Sequence, residues 1–87
     1  MFSHDATLEF VYEDEASARV VADSVAREVG EIDDDRSRTT IDRAGTTVTL
    51  ELDARDVTAL RAALNTWMTL VDVAERSASL GERYVEK

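Results

Sequence analysis

The sequence contains no cysteine and no proline, and its 87 residues include three glycines and one histidine. Without cysteine, disulfide bonds and thiolate chemistry are excluded, and the composition fits a reducing compartment. The lone His4, in an N-terminus that we expect to be frayed, disfavours a zinc site or a nucleophile–base pair. Gly30, Gly45 and Gly81 are isolated, so no glycine-rich phosphate loop is present.

Long apolar runs are also missing. No stretch reaches the roughly 20 residues of a membrane span, and the opening Met-Phe-Ser-His-Asp lacks the basic and apolar regions of a signal peptide. We therefore expect a soluble, cytoplasmic protein with no membrane partner. A chain of this length is expected to form one domain, residues 1–87, with a modest core that self-association would stabilise further.

Positive charge is scarce. Nineteen Asp and Glu residues face ten basic residues, of which nine are arginine, giving a net charge of −9 and a pI near 4.4. This composition resembles that of proteins from halophilic archaea, since in molar salt the Debye length is only about 3 Å and self-repulsion is screened. We favour adaptation of the whole surface; the alternative interpretation is one acidic face directed at a basic partner.

The apolar pattern predicts the element order β-α-β-β-α. Alternating side chains predict strands at about 6–12, 38–43 and 46–52. Helical periodicity predicts helices at about 15–29 and 54–79. The expected fold is an α+β two-layer sandwich, a three-stranded antiparallel sheet covered on one face by two helices. The second strand, with few apolar residues, is expected at an edge.

Local signals set the predicted ends of these elements. Asp14 and Asp53 are predicted to cap the N-termini of the two helices. Gly30 and Gly81 are predicted to end them, because glycine favours the left-handed C-cap. The segment 43–45, Arg-Ala-Gly, predicts the turn of a hairpin between the second and third strands.

The second helix carries more apolar surface than one sheet can cover. Its apolar rows span roughly 200° of the circumference, whereas a sheet needs a stripe of about 100°. A second partner is therefore expected, although packing in the chain's own core is the default for each residue. Trp67 is the best candidate for an anchor, because large aromatic side chains dominate interface energies. The predicted partner-binding residues are Leu60, Leu64, Trp67, Val71, Ala18 and Val25.

Three arginines near the acidic connection and the hairpin are candidate phosphate contacts: Arg36, Arg38 and Arg43. Pairing with the acids at 33–35 is the alternative, and the net negative charge predicts weak RNA binding by the isolated chain.

The acidic triplet at 33–35 lacks the spaced oxygen ligands of a calcium loop. No catalytic, cofactor-binding or metal-binding residue is predicted, because nothing singles out two acids and a short chain offers little pocket.

A motif stands at the start of the second helix: Ala54-x-Asp56-x-x-x-Leu60-Arg61-Ala62-x-x-Asn65-Thr66. It resembles the A-x-D-x-x-x-L-R-x-x-x-N-S signature of the Pcc family, the small subunit of the KEOPS complex, with threonine in place of the commoner serine. The opening strand, the alanine-bearing first helix and the hairpin are similar as well. The resemblance covers nearly the whole chain in the same order.

This resemblance implies a non-catalytic scaffold that needs no cofactor. Such a subunit forms a homodimer through its sheet side and contacts a TsaD-like catalytic subunit through a bundle made from both helices. It thereby bridges two catalytic subunits that make threonylcarbamoyladenosine at position 37 of tRNA, and it meets tRNA only within the assembled complex. The resemblance leaves open whether Arg61 and Asn65 contact sheet, partner or RNA.

Two other functions stay open from the residues alone. The first is a standalone KH-like RNA-binding domain, which the element mixture suggests and the absence of a G-x-x-G loop opposes. The second is a small acid–base enzyme, because acids are abundant.

Overall fold

The computed structural model describes residues 2–32 and 35–86, and the side chains of residues 2–31 and 35–77. The predicted element order is confirmed. The elements are β1 (His4–Val11), α1 (Glu15–Ile32), β2 (Ser37–Ala44), β3 (Thr47–Ala54) and α2 (Val57–Glu86).

The sheet has the strand order β1-β3-β2, and both strand pairs are antiparallel. β2 is therefore an edge strand, as its weak apolar pattern predicted, and β1 is the other edge. A tight turn joins β2 to β3 at Gly45, whose φ of 61° lies in the left-handed region that strains other residues. The predicted hairpin is confirmed, but its turn lies at Gly45 and Thr46 rather than at 43–45, because Arg43 and Ala44 still pair with β3.

Both helices pack on one face of the sheet, with α1 over β2 and α2 over β3 and β1. The central strand supplies Val48, Leu50, Leu52 and Ala54 to this face, each at most 1% exposed. Trp67 of α2 is fully buried against this layer and is the largest buried side chain. Burying such large apolar side chains at about 25 cal/mol per Å² holds the two layers together. The predicted two-layer sandwich is confirmed.

The helix starts follow the capping rule, but one prediction named the wrong residue. Asp14 caps α1, since its Oδ1 accepts a hydrogen bond from the Ser17 N–H at 2.7 Å. That bond holds the pKa of Asp14 below its ordinary value. Asp56, rather than Asp53, caps α2 by accepting from the Ala59 N–H at 2.7 Å. Asp53 cannot do so because β3 continues through it to Ala54.

The predicted helix ends are wrong at both glycines. α1 continues through Gly30 to Ile32, and α2 continues through Gly81 to Glu86. An interior glycine costs about 1 kcal/mol relative to alanine but does not interrupt helical hydrogen bonding. A helix ends at glycine where the chain adopts a left-handed cap, and among the described residues only Gly45 has positive φ.

The N-terminus is more ordered than expected. β1 begins at His4, which pairs with Ala54. The Ser3 N–H donates a hydrogen bond to the Ala54 carbonyl oxygen at 3.1 Å. His4 is therefore part of the sheet, because β3 is long enough to pair with it.

Candidate partner-binding surfaces

Four of the six residues predicted to bind a partner lie in the chain's own core. Trp67 and Ala18 are 0% exposed, and Val25 and Val71 are 1% exposed. The assignment of Trp67, Ala18 and Val71 to a partner surface is therefore corrected, because a side chain without accessible area cannot contact a partner while the layers stay packed. Val25 lines the floor of a depression between the two helices. Leu60 and Leu64 are half-buried at the margin of the core.

These side chains are buried for a simple geometric reason. α2 is covered by two neighbours within its own chain, the sheet on one side and α1 on the adjacent side. The sequence-based prediction counted the sheet as a neighbour within the chain but expected the second neighbour to be a partner. Most of the apolar arc of roughly 200° is thus buried without a partner.

One apolar strip of α2 nevertheless remains exposed beside β1. We call it the strand-side strip: Val57, Leu64 and Met68, of which Val57 is 50% and Met68 51% exposed. At about 100° per residue, these three positions lie on one side of the buried row, together with Glu75. The Tyr12 hydroxyl, just beyond β1, donates to Glu75 Oε2 at 2.8 Å. That bond places this side of α2 next to β1.

The Tyr12–Glu75 hydrogen bond is a direct polar link between that edge of the sheet and α2. Partial burial raises the pKa of the Tyr12 hydroxyl above its ordinary value, and the bond to the Glu75 carboxylate raises it further. The phenol therefore stays protonated at neutral pH and acts as the donor. Sequence reasoning missed this pair, because the two residues are 63 positions apart.

A second apolar surface lies between the two helices, on the other side of the buried row. Leu70 and Val73 of α2 face α1 there, and Val73 is 53% exposed. We call this depression, of about 230 Å³, the interhelical groove; its lining is Ser24, Val25, Arg27, Glu28, Leu70, Val73, Ala74 and Ser77. Its floor is apolar and its rim carries one charge of each sign, which suits an amphipathic helix.

The structure separates the three arginines predicted to contact RNA. Arg36 and Arg38 lie at the start of β2, whereas Arg43 lies at its other end and donates from Nη1 to the Gly45 carbonyl oxygen at 3.0 Å. At about 3.3 Å per strand residue, Arg38 and Arg43 are roughly 16 Å apart. Arg55, which the sequence did not single out, joins Arg36 instead through a backbone hydrogen bond of 3.0 Å.

The face of the sheet opposite the helices has no covering element among the described residues, and we call it the open face. Its alternating positions carry threonines and an excess of acids. Asp5 lies directly opposite Asp53, which lies opposite Arg38. The Arg38 guanidinium also lies over the Phe2 ring, 5.3 Å from its centroid. Five carboxylates share this face with that one arginine: Asp5, Glu9, Asp42, Glu51 and Asp53.

The acidic excess is uneven over the described surface. In contrast to the open face, residues 57–77 of α2 carry two acids and two arginines. Residues 13–31, which include most of α1, carry six acids and two arginines, so negative charge is high on both the open face and α1 and low on this part of α2.

The motif residues divide into two groups. Ala54 is fully buried at the end of β3, Asp56 caps α2, and Leu60 packs at the core margin. These three build the turn from strand to helix. Arg61 and Asn65 are exposed on the solvent side of α2, where their side chains are accessible to a partner.

Residues 5–79 match the family model described as "Transcription factor Pcc1". The chain belongs to the Pcc1 family. The match spans all three strands, α1 and most of α2, so the family assignment made from the motif is confirmed. No curated protein sequence matches this Pcc1-family chain.

A solved structure supports the fold of this Pcc1-family chain. A chain in the crystal structure of the binary Gon7–Pcc1 complex is similar to it, with a TM-score of 0.79 and 12% sequence identity. The similarity covers 92% of this chain and 98% of that one. At this identity the comparison establishes a shared fold.

Two other kinds of site are absent from the described residues. No described helix combines the length and apolar character needed to cross a membrane. The described His, Asp and Glu side chains form no group of three or more that could hold a metal ion.

Proposed function

We propose that this chain is a non-catalytic scaffold subunit of the KEOPS complex, which modifies adenosine 37 of tRNA with a threonylcarbamoyl group in the cytoplasm. Membership in the Pcc1 family supports the assignment to this complex. The observation that carries the scaffold role is the pair of separate apolar surfaces on α2, the strand-side strip and the interhelical groove. Two separate surfaces allow one small domain to hold two protein partners at once.

The first partner is a second copy of the chain, bound at β1. This strand is an edge of the sheet, so one side of its backbone has no partner strand among the described residues. Antiparallel pairing of β1 with its counterpart extends the sheet to six strands. The same pairing brings the two strand-side strips together, because Val57, Leu64 and Met68 lie beside that edge. A homodimer of this form buries both the polar edge and the apolar strip.

The second partner is a TsaD-like catalytic subunit, bound in the interhelical groove. A helix of that subunit lies over Leu70 and Val73, while Arg27 and Glu28 at the rim hydrogen-bond its polar side chains. The groove and β1 lie on different sides of α2, so each copy in a dimer keeps its groove accessible. The dimer thereby bridges two catalytic subunits.

Contact with tRNA is assigned to the assembled complex. Arg36, Arg38 and Arg55 gather at the end of the sheet where β2 begins and β3 ends. The net charge of −9 opposes RNA binding by the free chain. The KH-like alternative predicts tight RNA binding by the isolated protein, and a filter-binding titration at low salt separates the two functions.

Two substitutions separate the two proposed contacts. Val73→Asp places a charge in the groove and should abolish co-purification with the TsaD-like subunit while leaving the dimer intact. Met68→Asp places the same charge in the strand-side strip and should dissociate the dimer, while each monomer still binds the catalytic subunit. Both side chains are about half exposed, so the fold tolerates the changes.

The matched control is Thr69→Asp on the solvent side of the same helix, which should alter neither contact. Co-purification measures the first contact and sedimentation velocity measures the second. If the wild-type chain does not bind the catalytic subunit, the scaffold proposal fails. If the Val73→Asp and Met68→Asp variants both behave as wild type, the assignment of the two surfaces fails.

A further inference from the structure

The open face continues up to the edge at which the dimer is proposed to form. β1 places Asp5 and Glu9 on this face, and the next strand adds Glu51 and Asp53. Asp5 and Asp53 are directly opposite each other, an arrangement of like charges that destabilises a strand pair. The Arg76–Asp72 salt bridge lies on α2, and Arg38 is the arginine that the strands place among the carboxylates of the open face.

Pairing of two β1 strands joins two such faces. A two-fold axis perpendicular to the sheet places both open faces on the same side of the six-stranded sheet. The joined surface then carries ten carboxylates and two arginines, twice the content of one face. Strand pairing and the apolar strip favour this contact, whereas the charge on the open face opposes it.

We propose that self-association through β1 is gated by ionic strength, because salt must screen the carboxylates of the open face before the two edges can pair. This inference rests on the proposed function, since it concerns the regulation of its dimer contact. Asp5 and Glu9 are the gating residues, as they lie on the pairing strand itself. The strand-side strip supplies the attraction that remains when the repulsion is screened.

The size of the effect follows from the charges and the strand spacing. The centres of the two faces lie about 15 Å apart, three strand spacings of about 4.8 Å. The strand residues of each face have a net charge of −4, from five carboxylates and one arginine; Arg36 and Arg55 lie outside the three strands. The Debye length is about 30 Å at 10 mM salt and about 3 Å at 1 M. Coulomb repulsion in water then weakens the dimer about 100-fold at the lower concentration.

The test measures the dimer Kd of the full chain by sedimentation equilibrium in KCl from 10 mM to 1 M. The wild-type Kd should fall about 100-fold across this range. In the double variant Asp5→Asn/Glu9→Gln the charge on each face is halved, so the fall should shrink to about threefold. The matched control is Asp23→Asn/Glu31→Gln, which removes the same charge from exposed positions of α1.

The control should keep the salt dependence of the wild type. If the salt dependence of the dimer Kd is reduced equally in both variants, the effect comes from overall net charge and the proposed gating by Asp5 and Glu9 is wrong. A wild-type dimer whose Kd does not change with salt also overturns it, but leaves the proposed dimer intact. A monomer at every salt concentration overturns both. Circular dichroism of each sample confirms that all three proteins are folded at the concentrations compared.

Discussion

The Tyr12–Glu75 hydrogen bond holds one side of α2 against the edge of the sheet. The bond of 2.8 Å links the residue that follows β1 to the side of α2 that carries Met68. Because the donor is a phenol and the acceptor is a carboxylate, the bond is charge-assisted and stronger than a neutral one. It holds the edge strand and the strand-side strip in one orientation, which the proposed dimer contact requires.

This pair predicts a pH dependence of stability. The folded state raises the pKa of Tyr12 above the ordinary value of about 10. A raised pKa contributes stability that is fully present below pH about 10 and is lost as the pH rises further, because the unfolded phenol ionises first. Urea unfolding between pH 8 and 11 should show a steeper loss for wild type than for Tyr12→Phe.

The Tyr12→Phe variant retains every other titrating group and so serves as the baseline. At pH 7 it should be less stable by about 1.5 kcal/mol, the lower end of the range for a hydrogen bond to a charged group, because the pair is only partly buried. Parallel stability curves for the two proteins would show that the pair does not persist in solution.

At the scale of elements, the turn from β3 to α2 sets where the long helix begins. The sequence predicts Asp53 as the cap, whereas Asp56, three residues later, caps the helix in the structure. Pairing with both β1 and β2 extends β3 to Ala54 and leaves Asp56 as the first acid free to cap. Strand pairing therefore decides which aspartate caps α2.

The two aspartates give a matched pair of substitutions. Asp56→Ala removes the acceptor for the Ala59 N–H and should destabilise the protein by about 1 kcal/mol. Asp53→Ala removes an acid that lies opposite Asp5 on one side and Arg38 on the other, so the lost repulsion and the lost attraction offset each other and the change should be close to neutral. Thermal unfolding of both variants checks the assignment. A larger loss for Asp53→Ala would return the cap to the position predicted from sequence.

At the scale of the whole molecule, the core and the proposed partner surfaces are largely different residues, and they share Val25 and Ala74 at the floor of the interhelical groove. Trp67 holds the two layers together, and its indole N–H has no hydrogen-bond acceptor among the described residues. That orphan donor costs about 1–3 kcal/mol, which burial of the large ring must offset. The apolar residues open to partners, by contrast, lie on both flanks of the buried row of α2.

Trp67→Ala should therefore act through stability rather than through one interface. Loss of the buried ring should lower the free energy of unfolding by about 3–5 kcal/mol. For a small domain this is a large share of the total, so the dimer and the catalytic-subunit contact should weaken together. Denaturant unfolding of the variant measures the loss. A variant of wild-type stability that has lost only one contact would restore Trp67 as an interface anchor.

The sequence by itself determined the element order, the two-layer sandwich, the edge position of β2, the Asp14 cap and the family. Each of these depends on periodicity, local hydrogen bonding or a contiguous motif, which neighbouring residues specify. The tertiary structure decided the exact ends of the helices, the burial of Trp67 and the pairing of Tyr12 with Glu75. These depend on residues far apart in the chain that share a neighbour only after folding. The apolar rows of α2 fixed how much surface had to be covered, and only packing decided which part its own sheet and α1 would cover.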